Sequence, residues 1–285
     1  GNTGGLLPEY TGFESIDSVA AGSYKIVITD LYGCLKEQDF SITEPTILSM
    51  DNTVTDVACL ADDEEDFGNA LNFNAALNNR IVVSDNDFLD MTSALTVEAW
   101  IYANTTGPSD GRTIVSKMGN TTTGFALYTP NGWNSINFEI KSGGTSTVSA
   151  TGLSIEDGWH HVAGTYDENT GMRIYIDGTE INYQGVTGPL ASNTQQLTIG
   201  AQHDGTGDSD SDYSAAPFDG SMDELRIWNV TRSPDQIKYT MEKTLDGDED
   251  GLVAYYQFNQ GTASGNNLGI SSLTEEINGL TGAFP

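Results

Sequence analysis

From Trp159 to Tyr166 large apolar and polar side chains alternate, the period-two pattern of a half-buried β-strand. Residues 167–171, DENTG, form a turn cluster that ends in glycine, and alternation resumes with Met172, Ile174 and Ile176 on one face. Asp177-Gly178 then supplies a two-residue hairpin loop, because such loops need residues that tolerate positive φ. Residues 158–181 therefore predict three consecutive antiparallel strands. The same strand-and-turn texture returns in ALNFN (70–74), LTVEAWIY (95–102), TIVSK (113–117), LTIG (197–200), FDGSMDELRIW (218–228) and GDEDGLVAYYQFN (247–259, with DGDEDG at 246–251).

Taken in order, these seven segments resemble the laminin-G-like jelly roll of the concanavalin A-type lectin/glucanase fold, over residues 68–285. The resemblance implies an all-β fold, a two-sheet antiparallel jelly-roll sandwich. It leaves function open, because one scaffold serves lectins, adhesins, protease inserts and accessory modules of polysaccharidases.

The first residues differ in kind. Residues 20–47, AAGSYKIVITDLYGCLKEQDFSITEPTI, predict a strand at 23–29, a turn at Tyr32-Gly33 and a strand at 38–43 closed by Pro45. The AGSY, TD-x-x-GC and ITEP elements resemble the second half of an SprB-type repeat, a module of surface adhesins in gliding bacteria. The expected organisation is a partial SprB-like, immunoglobulin-like β module at 1–46, an acidic linker at 47–67, with the run DDEEDFG (62–68) at the boundary, and the jelly roll at 68–285. Gly1 is no natural start, so neighbouring modules of a longer chain are expected. The chain's two cysteines, Cys34 and Cys59, read as one disulfide in an exported protein; that bridge would staple the small module to the linker. The alternative is that each belongs to a different repeat.

Composition narrows the partners. Asp+Glu number 41 against 11 Lys+Arg, a net charge of −30. That balance excludes nucleic acid and anionic membrane surfaces, whose binding releases counterions through Lys and Arg. No apolar run approaches the ~20 residues of a membrane span, so no membrane insertion is expected. An acidic surface of this kind suits saline water, and it equally suits a calcium-loaded extracellular protein.

Catalysis is not expected. Hydrolytic relatives of the resembled fold carry carboxylates at i and i+2 on one strand, where both face the cleft. Here Glu98 and Glu139 stand alone. His160 and His161 are adjacent on a strand, so they point to opposite faces and cannot share a metal; His203 lies in an acidic loop with no nucleophile to serve. Glu98 and Arg226 each stand two residues before a tryptophan, Trp100 and Trp228, which predicts a buried ion pair between their strands.

Calcium is the expected cofactor, since hard cations take carboxylates and carbonyls. The resemblance implies a site at Asp223 joined by Asn74. A second candidate is the loop at 202–220, where Asp208, Asp210 and Asp212 alternate between Asp204 and Asp219. DGDEDG (246–251) has the opening spacing of a calcium loop but carries Gln257 where a bidentate Glu is required. Trp133, in the Gly- and Asn-rich turn 129–135, is the expected sugar platform, with Tyr128 and Tyr213 beside it. Trp100, Trp159 and Trp228 lie on strands and are expected in the core.

The sequence thus points to an extracellular, non-catalytic, calcium-stabilised cell-surface adhesin segment that binds glycans or a solid surface. An accessory carbohydrate-binding module of a secreted polysaccharide-degrading enzyme and a structural spacer or fibre unit are the alternatives. Resemblance to gliding-bacterium adhesins also implies export by the route those bacteria use.

Overall fold

A computed structural model describes residues 22–29, 35–42, 68–104, 112–118, 123–130, 132–151, 153, 155, 158–202, 217–260 and 270–284. The chain divides into two compact units, residues 1–60 and 61–285. In the first, β1 (Gly22–Thr29) and β2 (Leu35–Ile42) form an antiparallel hairpin in continuous register from Gly22 opposite Ile42 to Thr29 opposite Leu35. Lys25 bridges Glu37 across it at 2.7 Å. Cys34 and Cys59 lie outside the described residues.

The second unit is a sandwich of two antiparallel sheets. Its strands are β3 (Leu71–Phe73), β4 (Ile81–Val83), β5 (Ala94–Ala103), β6 (Arg112–Ser116), β7 (Thr123–Thr129), β8 (Ser135–Ser142) and β9 (Thr145–Thr151). There follow β10 (Trp159–Asp167), β11 (Gly171–Ile176), β12 (Thr179–Gln184), β13 (Leu197–Ile199), β14 (Gly220–Trp228), β15 (Leu252–Tyr256), β16 (Ser272–Leu273) and β17 (Gly282–Ala283). One sheet has the order β12-β11-β10-β5-β14-β15, with β3 also paired to β14; the other runs β16-β17-β4-β13-β6-β7-β8-β9.

Alternation decides what each strand buries. Along β5, Leu95, Val97, Ala99 and Ile101 enter the core; they meet Ile136, Phe138 and Ile140 of β8 and Val162 and Tyr166 of β10 in one cluster. The sheets approach so closely at Gly164 that a Cβ there would lie 2.3 Å from the Phe138 ring. The hairpin predicted at 177–178 is present, with φ of 50° at Asp177 and 69° at Gly178, the mirror-image turn that matches strand twist. In the preceding turn, Asp167 Oδ1 accepts from the backbone N–H of Asn169 and of Thr170, both at 2.9 Å.

The other residues of β5, β10 and β14 face away from the core, and a helix covers part of that outer face. This helix, α1 (Pro234–Thr240), opens on a capping box: Ser233 Oγ accepts from Gln236 N, and Gln236 Oε1 accepts from Ser233 N. Its Ile237 packs on Ala163 and Tyr175, while Trp228, Leu245, Leu252 and Tyr255 form a neighbouring cluster.

Beneath this cover lies a polar network that corrects the expected Glu98–Arg226 pair. The two residues are opposite each other in the register of β5 and β14, yet each ion-pairs elsewhere. Glu98 Oε1 accepts from Arg232 Nη1 at 2.6 Å and from Trp228 Nε1 at 2.8 Å. Arg226 pairs with Glu224 at 2.6 Å and donates to the Thr240 carbonyl at 2.8 Å. The cause is a bulge between Asp223 and Arg226, where Glu224 takes φ 52° and brings its carboxylate onto the guanidinium. Arg232, just beyond the strand, then reaches back to Glu98, its guanidinium 4.0 Å from the centre of the Trp228 ring.

Candidate functional site

The expected Asn74–Asp223 site is not assembled. Phe73 stands opposite Gly220, so the residue beside the start of this turn is Asp219, whose Oδ1 accepts from Ala75 N at 3.3 Å. Asn74 caps a 3-10 turn through Ala76 N at 2.9 Å. Asp223 lies further along β14 opposite Trp100, buried, with Oδ1 accepting from Glu224 N at 2.8 Å. Burial, and then repulsion by Glu224, push its carboxyl up to about 8. At 246–251 the carboxylate of Glu249 closes the turn by accepting from Asp246 N and Gly247 N, both at 3.0 Å. Among the described residues no three His, Cys, Asp or Glu gather as a metal cluster. His203, Asp204, Asp208, Asp210, Asp212 and Tyr213 lie outside the described residues.

The two histidines diverge as the strand period requires. His160 Nδ1 lies 2.9 Å from Asp177 Oδ2. His161 is buried under the outer cover, edge-on to Trp100 with centroids 5.5 Å apart. Burial pushes it down to about 4, against the opposing pull of Glu98.

The aromatic expectations are corrected in both directions. Trp133 is no platform: it is 3% exposed, edge-on to Phe218 at 5.4 Å, and its Nε1 donates to the Asn104 carbonyl at 3.2 Å. The indole lies in the core beneath Arg112, whose guanidinium is 5.2 Å from the ring centre. Tyr128 faces the opposite side of its sheet from Leu127. Its hydroxyl donates to Glu139 at 2.8 Å and accepts from Asn137 at 3.3 Å, and burial pushes the phenol up to about 12.

Trp159, expected in the core, stands out of it. It begins β10, ahead of the residues that α1 covers, and is 41% exposed. Its direct cross-strand partner is Tyr102, 43% exposed, with ring centroids 5.8 Å apart and planes inclined at 59°. The row continues through Ser221 of β14 to Asn72 of β3, each opposite the last and therefore on one face. Asn72 Nδ2 donates to Ser221 Oγ at 3.2 Å and to the Gly220 carbonyl at 3.3 Å, leaving the amide oxygen to accept. The outcome is a ledge of two inclined rings flanked by a hydroxyl and an amide. The signal for it was the position of Trp159 at a strand end with an aromatic in register.

A sequence model of the concanavalin A-like lectin/glucanases superfamily (Laminin G 3) matches residues 74–238, more than half of the chain. The chain belongs to that superfamily. A solved structure of a candidate carbohydrate binding protein from Bacteroides ovatus ATCC 8483 has the same fold, with a TM-score of 0.57 and 23% identity over 75% of this chain and 57% of that one. The sialidase module CBM40 of Ruminococcus gnavus, bound to α2,3 sialyllactose, gives a TM-score of 0.48 and 14% identity over 60% of this chain and 95% of that one. The rat (Rattus norvegicus) sushi, von Willebrand factor type A, EGF and pentraxin domain-containing protein 1 is 34% identical over 90 residues, 30% of this chain. The chain spans only 2% of the length of that curated relative.

Proposed function

We propose that this chain binds glycans without acting on them, through the ledge of Trp159 and Tyr102, as a segment of an extracellular cell-surface adhesin. The ledge carries the reading. Pyranose rings present apolar C–H faces that stack on aromatic rings, and two exposed rings in direct register, with Ser221 and Asn72 alongside, offer both stacking and hydrogen bonds. Membership in a lectin/glucanase superfamily and the carbohydrate-binding description of the B. ovatus structure support it. A net charge of −30 favours neutral sugars over acidic ones.

The strand carboxylates support a binding role over a hydrolytic one. Glu98 is held by Arg232 and Trp228 beneath the surface, and Glu139 accepts from Tyr128. The same proposal includes the SprB-like character of residues 1–46, a Cys34–Cys59 bridge, and calcium held by Asp208, Asp210 and Asp212. A glycan array probed with and without a chelator tests it. Binding that survives chelation and falls on Tyr102→Ala supports the ledge; no binding under either condition leaves the spacer reading in its place.

The second reading is an accessory carbohydrate-binding module of a secreted polysaccharide-degrading enzyme, with which the carbohydrate-binding description of the B. ovatus structure is equally compatible. The residues flanking the chain in its gene separate the two, through further repeats or a catalytic domain.

A further inference from the structure

We infer that the ledge is one end of a longer track that runs into a cavity at the corner between β3 and β4, so that the site takes an extended neutral oligosaccharide and not a single sugar. The inference rests on the glycan reading of the ledge. Its basis is the double position of Asn72. That residue ends the row Trp159–Tyr102–Ser221–Asn72, and it also lines a cavity of about 470 Å3. Four adjacent strands carry the row, so it spans three inter-strand spacings, about 14 Å. A path of that length, before the cavity is counted, exceeds one pyranose ring.

The cavity has the chemistry of a sugar subsite. Leu77, 71% exposed, and Phe284 give it apolar wall, while Asn72, Asn78 and Asn79 place side-chain amides around it. The loop that carries them is held. Asn78 sits in the left-handed region with φ 52° as the cap of the 3-10 turn, and Asn79 Oδ1 accepts from Asn74 N at 3.1 Å, which presents its Nδ2 as a donor. Arg80 is buried in the wall and donates to the Asn78 carbonyl at 3.2 Å, fixing the loop that carries the amides. Amides donate and accept as hydroxyls do, and they carry no charge. That pattern suits a neutral glycan on a protein whose overall charge repels anions. The cavity volume lies within the range of small-ligand sites.

The test is a titration of cello-, laminari-, xylo- and manno-oligosaccharides, from one to six sugar units, into the whole chain and three variants. Leu77→Glu and Asn79→Ala alter the cavity at exposed positions outside the ledge, and Trp159→Ala removes the ledge; a melting curve on each verifies folding. With at least one series, affinity is expected to rise about tenfold between two and four units, which is about 1.4 kcal/mol. Both cavity variants should erase that rise and leave disaccharide affinity within about twofold, and Trp159→Ala should weaken every length. A rise that persists in both cavity variants overturns the track while leaving the ledge intact. If no series binds the unsubstituted chain, the glycan reading falls and the track falls with it.

Discussion

Trp159 and Tyr102 are cross-strand partners on β10 and β5 whose ring centroids lie 5.8 Å apart, each more than two fifths exposed at the end of two strands whose outer face is buried further in. Further in along β5 and β10, the same face is closed. Glu98, four residues before Tyr102, is fully buried, and His161, two residues after Trp159, is 1% exposed. On β5 and β10 the exposure of the ring pair is therefore a feature of the strand ends.

Stability and binding should separate at the tryptophans. Trp159→Ala removes a side chain that is 41% exposed, so urea unfolding should shift by about 1 kcal/mol or less. Trp228→Ala empties a site that is 2% exposed and strips a donor from Glu98, and should cost about 3–5 kcal/mol. Equal losses would mean that Trp159 is a packing residue.

Asp223 and His161 should give stability opposite pH slopes. Asp223 is raised from 3.8 to about 8, so the native state holds its proton more tightly and stability falls as pH rises across that window. Asp223→Asn should gain on the order of 2–4 kcal/mol at pH 8 and almost nothing at pH 4, after allowance for coupling to Glu224 and Arg226. His161 is lowered from 6.5 to about 4, so the unfolded state takes the proton first and stability falls as pH drops through that window. His161→Gln should remove up to about 3 kcal/mol of acid-side loss. Urea midpoints of each variant against the parent, taken from pH 4 to pH 9, check both signs.

The Glu98–Arg232 pair should be costly to break from one side only. Arg232→Met leaves Glu98, with no exposed surface, short of its closest charge partner, and should cost about 3–5 kcal/mol. Adding Glu98→Leu to Arg232→Met should recover much of that loss. A double variant no more stable than Arg232→Met alone would contradict the pairing.

Much of the scaffold is legible in local patterns. Period-two alternation marks β5, β10, β11 and β14, and Asp177-Gly178 declares its own turn, because these depend on residues that are neighbours in sequence. The cap of α1 was also written, in Ser233, Pro234 and Gln236, but seven residues of helix make a short signal among strands. What fails is whatever depends on register or on cover. Glu98 and Arg226 sit opposite each other as their contexts imply, and a one-residue bulge still hands each a different partner. Trp133 in a loop and Trp159 on a strand exchange their expected places. Loop residues can fold inward, and a strand end beyond the covering helix stays in solvent. Asp219, not Asp223, is the carboxylate that reaches the turn after β3, through Ala75 N, for the same reason, a register that spacing alone does not carry.

The central claim is that the Trp159–Tyr102 ledge holds sugar. Calorimetric titration of a neutral, array-positive oligosaccharide into the parent chain and into Trp159→Ala, with matched melting curves, tests it most directly. A loss of at least about tenfold in affinity at unchanged melting temperature is the predicted result. Equal affinity in the two proteins would contradict it and place the glycan elsewhere on the sandwich.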